Sequence, residues 1–208
     1  MATRARAART YGGRSADDRR AERRTRLLAA GRRAWGESGL TGVTVRGVCA
    51  LAGLTDRYFY ESFANREALV LAVAEQLRDE MLATMVQGGL AAADGVEAKL
   101  RGGLSALLNA VANDPHARRI VASDPTDVPG LSQLRREMLT MITALVIELA
   151  PEWLPKPLDE HQLRLAALFS VGGVNQLIES WLDGSLVLDA NQLAADCARL
   201  CMTALRQV

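Results

Sequence analysis

Three observations predict an all-α protein. Ala and Leu are abundant in a chain of 208 residues that is 49% hydrophobic, and β-branched runs are scarce. Both biases favour helix. Apolar residues also recur at three- and four-residue spacing between breaks marked by Gly and Pro. The length allows one large or two small domains, with enough apolar content to bury a real core.

Residues 1–14 are mostly Arg, Ala, Gly and Thr without an apolar face, and read as a flexible basic arm. Ser15, Asp17 and Asp18 offer an N-cap and favourable charge at a helix start. The helix then runs to about Ser38, with Leu27, Leu28, Gly31, Ala34 and Trp35 forming its buried stripe and Gly39 its stop. Thr44 caps a short helix, about Val45 to Leu51, and Gly53 breaks it with a tight turn. Thr55 opens a second short helix, about Asp56 to Phe63. Asn65 caps a third, whose apolar pattern runs from Glu67 to about Gln87 and stops at Gly88-Gly89. Two short helices joined by a Gly-containing turn of three or four residues are the helix-turn-helix signature.

Beyond them, helices are expected near Val96–Ala112, Pro115–Ala122, Leu131–Leu149, Leu158–Leu182 and Asn191–Arg206. The breaks fall at Asp114-Pro115, Asp124-Pro125, Pro129-Gly130, the Pro151–Pro157 segment and Asp183-Gly184. The organisation is thus an arm (1–14), a small helix-turn-helix head (15–65) and a helical body (66–208).

Charge is unevenly placed. The whole chain carries only +1, yet residues 1–33 hold eleven Arg against Asp17, Asp18 and Glu22. A basic front on an acidic remainder is expected where only the front meets a polyanion.

The segment "LTDRYFYESF" concentrates aromatics in a chain that is 4% aromatic. On a helix, Phe59 and Phe63 share a face and fit a small core with Val48, Leu51, Leu27 and Trp35. Thr55, Arg57, Tyr58 and Glu61 lie off that face, and Tyr60 at its margin. Such side chains suit the major groove: Arg pairs bidentately with guanine, and a Tyr ring packs on a thymine methyl. Asp56 serves the helix dipole or accepts from cytosine. Tyr60 and Arg66 are placed to reach the DNA backbone, and Thr44 and Thr55 offer hydroxyls to phosphate.

"TVRGVCALAGLTDRYFYESFANREAL" resembles the head of the TetR family of bacterial transcription regulators. Thr44, Val45, Arg46, Val48, Ala52, Gly53, Leu54, Thr55, Phe59, Tyr60, Phe63, Arg66 and Leu69 meet the family pattern. The preceding "LLAAGRRAWGESGL" resembles the family's first helix, with Trp35 in the usual Phe place, so the likeness covers about residues 20–75. It departs at Gly47, Cys49, Arg57 and Tyr58. The last two sit on the recognition face and should alter which operator is read.

The resemblance implies a DNA-binding regulator, most often a repressor, acting as a homodimer on a palindromic operator. Its recognition helices would lie about one DNA turn apart, roughly 34–36 Å. It implies DNA contacts from Thr44, Arg46, Thr55, Asp56, Arg57, Tyr58, Tyr60 and Arg66. It implies a dimer interface over residues 160–206, where Ser170, Gly173, Val174, Leu177, Leu200 and Leu205 combine small and apolar side chains. It also implies a small-molecule effector in the body, with Leu104, Leu108, Met138, Met141, Phe169 and Asn175 as pocket candidates. Asn175 in an apolar helix needs a hydrogen-bonding partner.

Other classes find less support. No H-E-x-x-H, P-loop, G-x-G-x-x-G or G-x-S-x-G occurs, and the two histidines, His116 and His161, are far apart, so no enzyme is expected. Neither cofactor nor metal site is suggested by Cys49, Cys197 and Cys201. Cys197 and Cys201, four apart on the last helix, leave a redox-responsive regulator as one alternative. A helical interaction protein without DNA binding is another. With no run of ~18 apolar residues and no secretory apolar region, a cytoplasmic location is expected.

Overall fold

The computed structural model describes residues 15–149 and 159–206, and no strand occurs among them. The N-terminal arm and the Pro151–Pro157 break lie outside the described residues. Two compact units divide between Val73 and Ala74, inside one long helix.

The first unit is the head. Helix α1 spans Ala16–Ser38. The Ser15 hydroxyl accepts from the Asp18 amide at 3.0 Å, and the Asp18 carboxylate accepts from the Ser15 amide at 2.9 Å. This capping box satisfies two otherwise orphaned donors. Gly39 ends the helix, donating to the Trp35 carbonyl. A short turn of 3-10 helix, Leu40–Gly42, leads to α2, Val45–Ala52, where the Thr44 hydroxyl accepts from the Gly47 amide. Gly53 then adopts φ +62 and ψ +40, a left-handed conformation that side chains strain. Helix α3 spans only Asp56–Tyr60, and α4 runs Arg66–Leu90. The Asn65 side chain caps α4 by accepting from the Ala68 amide at 2.8 Å.

Helix α3 is shorter than periodicity suggests, because Glu61 and Ser62 form a turn. Phe63 nevertheless stays beneath α3, its amide donating to the Phe59 carbonyl at 2.8 Å. Phe59 and Phe63 lie 5.8 Å apart by ring centroid, with Leu27, Trp35, Val48, Leu69 and Val70 buried in the same unit. Each such side chain contributes about 1.5–3 kcal/mol by leaving water. Leu51, expected in this core, is exposed instead.

The second unit begins within α4 and continues through α5 (Val96–Asn113), α6 (Pro115–Val121), α7 (Leu131–Leu149), α8 (Glu160–Leu182) and α9 (Ala190–Arg206). Asp114 caps α6 by accepting from the His116 and Ala117 amides, with Pro115 in the first turn. Asp159 caps α8 by accepting from the Gln162 amide. Leu104 and Leu108 of α5, Trp181 of α8, and Leu193, Ala194 and Cys197 of α9 form its main core. The Trp181 indole donates to the Leu188 carbonyl at 2.9 Å.

Gly88 and Gly89 do not stop α4. A Cβ on Gly88 would stand 2.4 Å from the Ala106 side chain and 2.7 Å from the Gly102 carbonyl oxygen. One on Gly102 would stand 2.7 Å from the Gly88 carbonyl oxygen. The glycines let the α4 and α5 backbones meet, and that packing outweighs their poor helix propensity of about 1 kcal/mol each. Among the described residues no helix is long and apolar enough to cross a membrane.

Candidate nucleic-acid interface

The head sets its two short helices by arginines from outside them. From α1, Arg26 donates to the Ala52 carbonyl and Arg24 donates to the Ser62 carbonyl at 3.0 Å. The Arg24 guanidinium also lies 4.4 Å from the Phe63 ring centroid. Arg23 covers the Tyr58 ring at 4.5 Å and reaches the Glu61 carboxylate at 3.4 Å. These three arginines were not singled out from the sequence. Their signal was present, however, as a basic α1 facing a segment rich in carbonyl ends and rings.

Within α3, Arg57 has a side chain 85% exposed and paired with Glu61 at 3.3 Å. Tyr60 is 60% exposed and meets Phe59 edge-on at 5.4 Å. Thr55 is exposed, and its hydroxyl makes no capping bond. Arg46 and Thr44 are exposed on α2. Thr55, Arg57 and Tyr60 therefore form an open face with Asp56 beside them.

Three expectations change. Tyr58 is half-buried under Arg23, so it is not an exposed partner of Arg57. Arg66 turns toward its own head, donating from Nε to the Val43 carbonyl and from Nη2 to the Leu40 carbonyl. Its fork thus holds the turn before α2, and its Nη1 also meets the Glu67 carboxylate at 3.4 Å. Asp56 faces Cys49 as well as the outside. Burial, followed by the hydrogen bond and charge of Asp56, pushes the Cys49 thiol above its ordinary value.

In the body the six pocket candidates do not converge. Leu104 and Leu108 are core, and Met138 is half-buried on α7. Met141 is exposed and Phe169 is 73% exposed. Asn175 has partners within the protein: it accepts from Arg135 at 3.1 Å and donates to Glu179 at 3.2 Å, while Arg135 also binds Glu179. Burial lowers the Arg135 pKa from its ordinary value. Two open hollows, of about 360 and 330 Å³, involve none of the six; Arg101, Ser105 and Asn191 line the first, Arg26, Arg33 and Leu51 the second.

The six dimer candidates also separate. Ser170 and Leu205 are buried within the body, and Val174 and Leu177 pack on its core. Gly173 and Leu200 are exposed. Leu165, Leu168, Phe169, Gly172 and Gly173 recur at three- and four-residue spacing along one exposed face of α8. Phe169 thus lies on an outer apolar face of this chain, 73% exposed. Cys197 is buried and Cys201 half-buried. Burial pushes the Cys197 thiol up to about 11 and raises that of Cys201 as well, which opposes formation of the reactive thiolate.

Residues 27–73 match the model of the bacterial regulatory proteins, tetR family. No curated protein matches the chain. Among solved structures, the fatty acid degradation regulator FadR from Bacillus halodurans is similar at 20% identity and TM-score 0.68, covering 86% of this chain and 94% of that one. FadR from Bacillus subtilis, solved with stearoyl-CoA, gives 17% and 0.67, covering 86% and 98%. The TetR family repressor AlkX from a Dietzia species gives 21% and 0.59, covering 88% and 97%. Over residues 27–73 the head is thus similar to the DNA-binding head of the bacterial regulatory proteins of the tetR family, and the chain as a whole shares the fold of these solved regulators.

Proposed function

We propose that the chain is a homodimeric repressor that reads a palindromic operator through the open face of α3. The observation that carries this reading is that face itself: Thr55, Arg57 and Tyr60 project from a short helix whose other side is fixed by Phe59 and by α1. A surface built only for packing would not leave an arginine and a tyrosine so exposed. Arg57 and Thr55 supply base contacts, Tyr60, Thr44 and Arg46 supply backbone contacts, and Tyr58 shapes the face from below. The basic arm, residues 1–14, adds affinity without sequence choice.

Self-association is assigned to the apolar face of α8 with Leu200 of α9. Leu165, Leu168 and Phe169 are large apolar side chains left in water by a single chain, and Gly172 and Gly173 allow a second helix to approach. An effector bound in the body would shift the population away from the DNA-binding state. The stearoyl-CoA held by the similar Bacillus subtilis FadR supports an effector-binding body here. The protein acts in the cytoplasm, where its operator is.

Selection from a random duplex library by the purified full-length protein tests the reading. Enrichment of a palindrome is the expected result. A folded dimer that enriches no sequence, with or without candidate effectors, overturns it. Sedimentation of Phe169→Glu, expected to be a monomer, tests the dimer face separately.

A further inference from the structure

Glu61 is a carboxylate at the end of a helix read here as meeting DNA. One oxygen, Oε1, accepts from Arg57 Nε at 3.3 Å, and the other, Oε2, accepts from Arg23 Nη2 at 3.4 Å. Arg23 is itself anchored, its guanidinium lying over the Tyr58 ring at 4.5 Å. Arg57 remains open to solvent although one edge of it is held. We propose that Glu61 is a positioning residue for base reading, braced by Arg23 and holding Arg57 by its Nε so that both terminal nitrogens face a guanine. This rests on the reading of α3 as the base-reading helix.

Two arguments carry it. A negative charge on a surface that meets phosphates costs affinity, and an exposed ion pair stabilises a fold very little. Affinity therefore does not account for Glu61, and its pair with the 85% exposed Arg57 does little for stability. Orientation accounts for it. A free arginine side chain must give up its rotamer freedom on binding, and a fork held at Nε has already done so. Holding Nε also selects the geometry, because the end-on pair of nitrogens is what remains to meet guanine O6 and N7. Glu61 thus exchanges general affinity for discrimination, which is a difference between affinities.

The experiment compares full-length wild type, Arg57→Ala, Glu61→Ala and Glu61→Gln on the selected operator, on its single-base variants and on random duplex. Arg57→Ala should lose guanine preference at one position of each half-site by roughly 5- to 150-fold. Glu61→Ala should lose about 3- to 10-fold at that same position only, while its affinity for random duplex rises about 2- to 5-fold because a repelling charge is gone. Glu61→Gln keeps the packing and should fall between. The opposite signs of the two changes are the signature. Unaltered preference in both Glu61 variants overturns the proposal. Equal weakening on every sequence also overturns it and leaves Glu61 as a clip between α1 and α3. Should Arg57→Ala change no position, the reading of Arg57 as a base contact fails first. Thermal melting verifies folding, and Glu61→Gln decides if Glu61→Ala melts early.

Discussion

Arg66 binds the carbonyls of Val43 and Leu40 with two nitrogens of one guanidinium. It thereby ties the first turn of α4 to the turn between α1 and α2. Charged donors to carbonyls are worth more than neutral ones, so Arg66→Ala should destabilise the protein by about 2–3 kcal/mol. Arg66→Lys should recover only part, since an ammonium is a point donor and not a fork. Urea denaturation measures both. An Arg66→Ala protein as stable as wild type would show the clamp to be idle.

The glycine seam between α4 and α5 makes a second prediction. Gly88→Ala places a methyl against Ala106 and the Gly102 carbonyl, where backbone must move. A cost of about 1–3 kcal/mol is expected from overpacking. Gly173→Ala meets nothing within 4 Å in the single chain and should stabilise it by a few tenths to about 1 kcal/mol through helix propensity. The same variant should weaken self-association if α8 helices pack closely, which sedimentation would detect.

How much of this was legible beforehand differs by element. The caps at Ser15, Thr44 and Asn65, the break at Asp114-Pro115 and the turn at Gly53 are local, so residue types alone located them. Gly88 misled because a glycine reads equally as a stop or as a close contact, and only the facing Gly102 decides. Tyr58 and Arg66 misled for a related reason: a periodicity argument assigns them a face but cannot see Arg23 or the Leu40 carbonyl arriving from another element. Phe169 was assigned to a pocket on its apolar character, which an outer face serves as well.

Cys197 predicts a pH dependence. Its thiol is pushed from an ordinary 9.0 up to about 11, chiefly by burial. The folded chain therefore holds this proton more tightly than the unfolded chain. The linked stability is fully present below about pH 9 and is lost as pH rises toward 11. Between pH 9 and 10.5, the melting temperature of wild type should fall more steeply than that of Cys197→Ala. Parallel curves would show that this thiol does not titrate in the window.

Removal of residues 1–14 takes away Arg4, Arg6, Arg9 and Arg14. If the arm lies on phosphates, the slope of log affinity against log salt should fall by about 2–4, at nearly 0.9 per contact. Sequence preference in a library selection should stay as it was. An unchanged slope would remove the arm from the interface.

Arg24, Arg26 and Arg66 each fasten the head by donating to peptide carbonyls, and Arg66 also pairs with the neighbouring Glu67 carboxylate at 3.4 Å. A charge meeting a dipole at contact distance is little screened, whereas attraction to a phosphate backbone fades with every added ion. Occupancy and folding thus have separate ionic-strength scales. Salt should therefore strip the reader from its DNA well before it loosens the reader, leaving a released protein able to rebind on dilution without refolding.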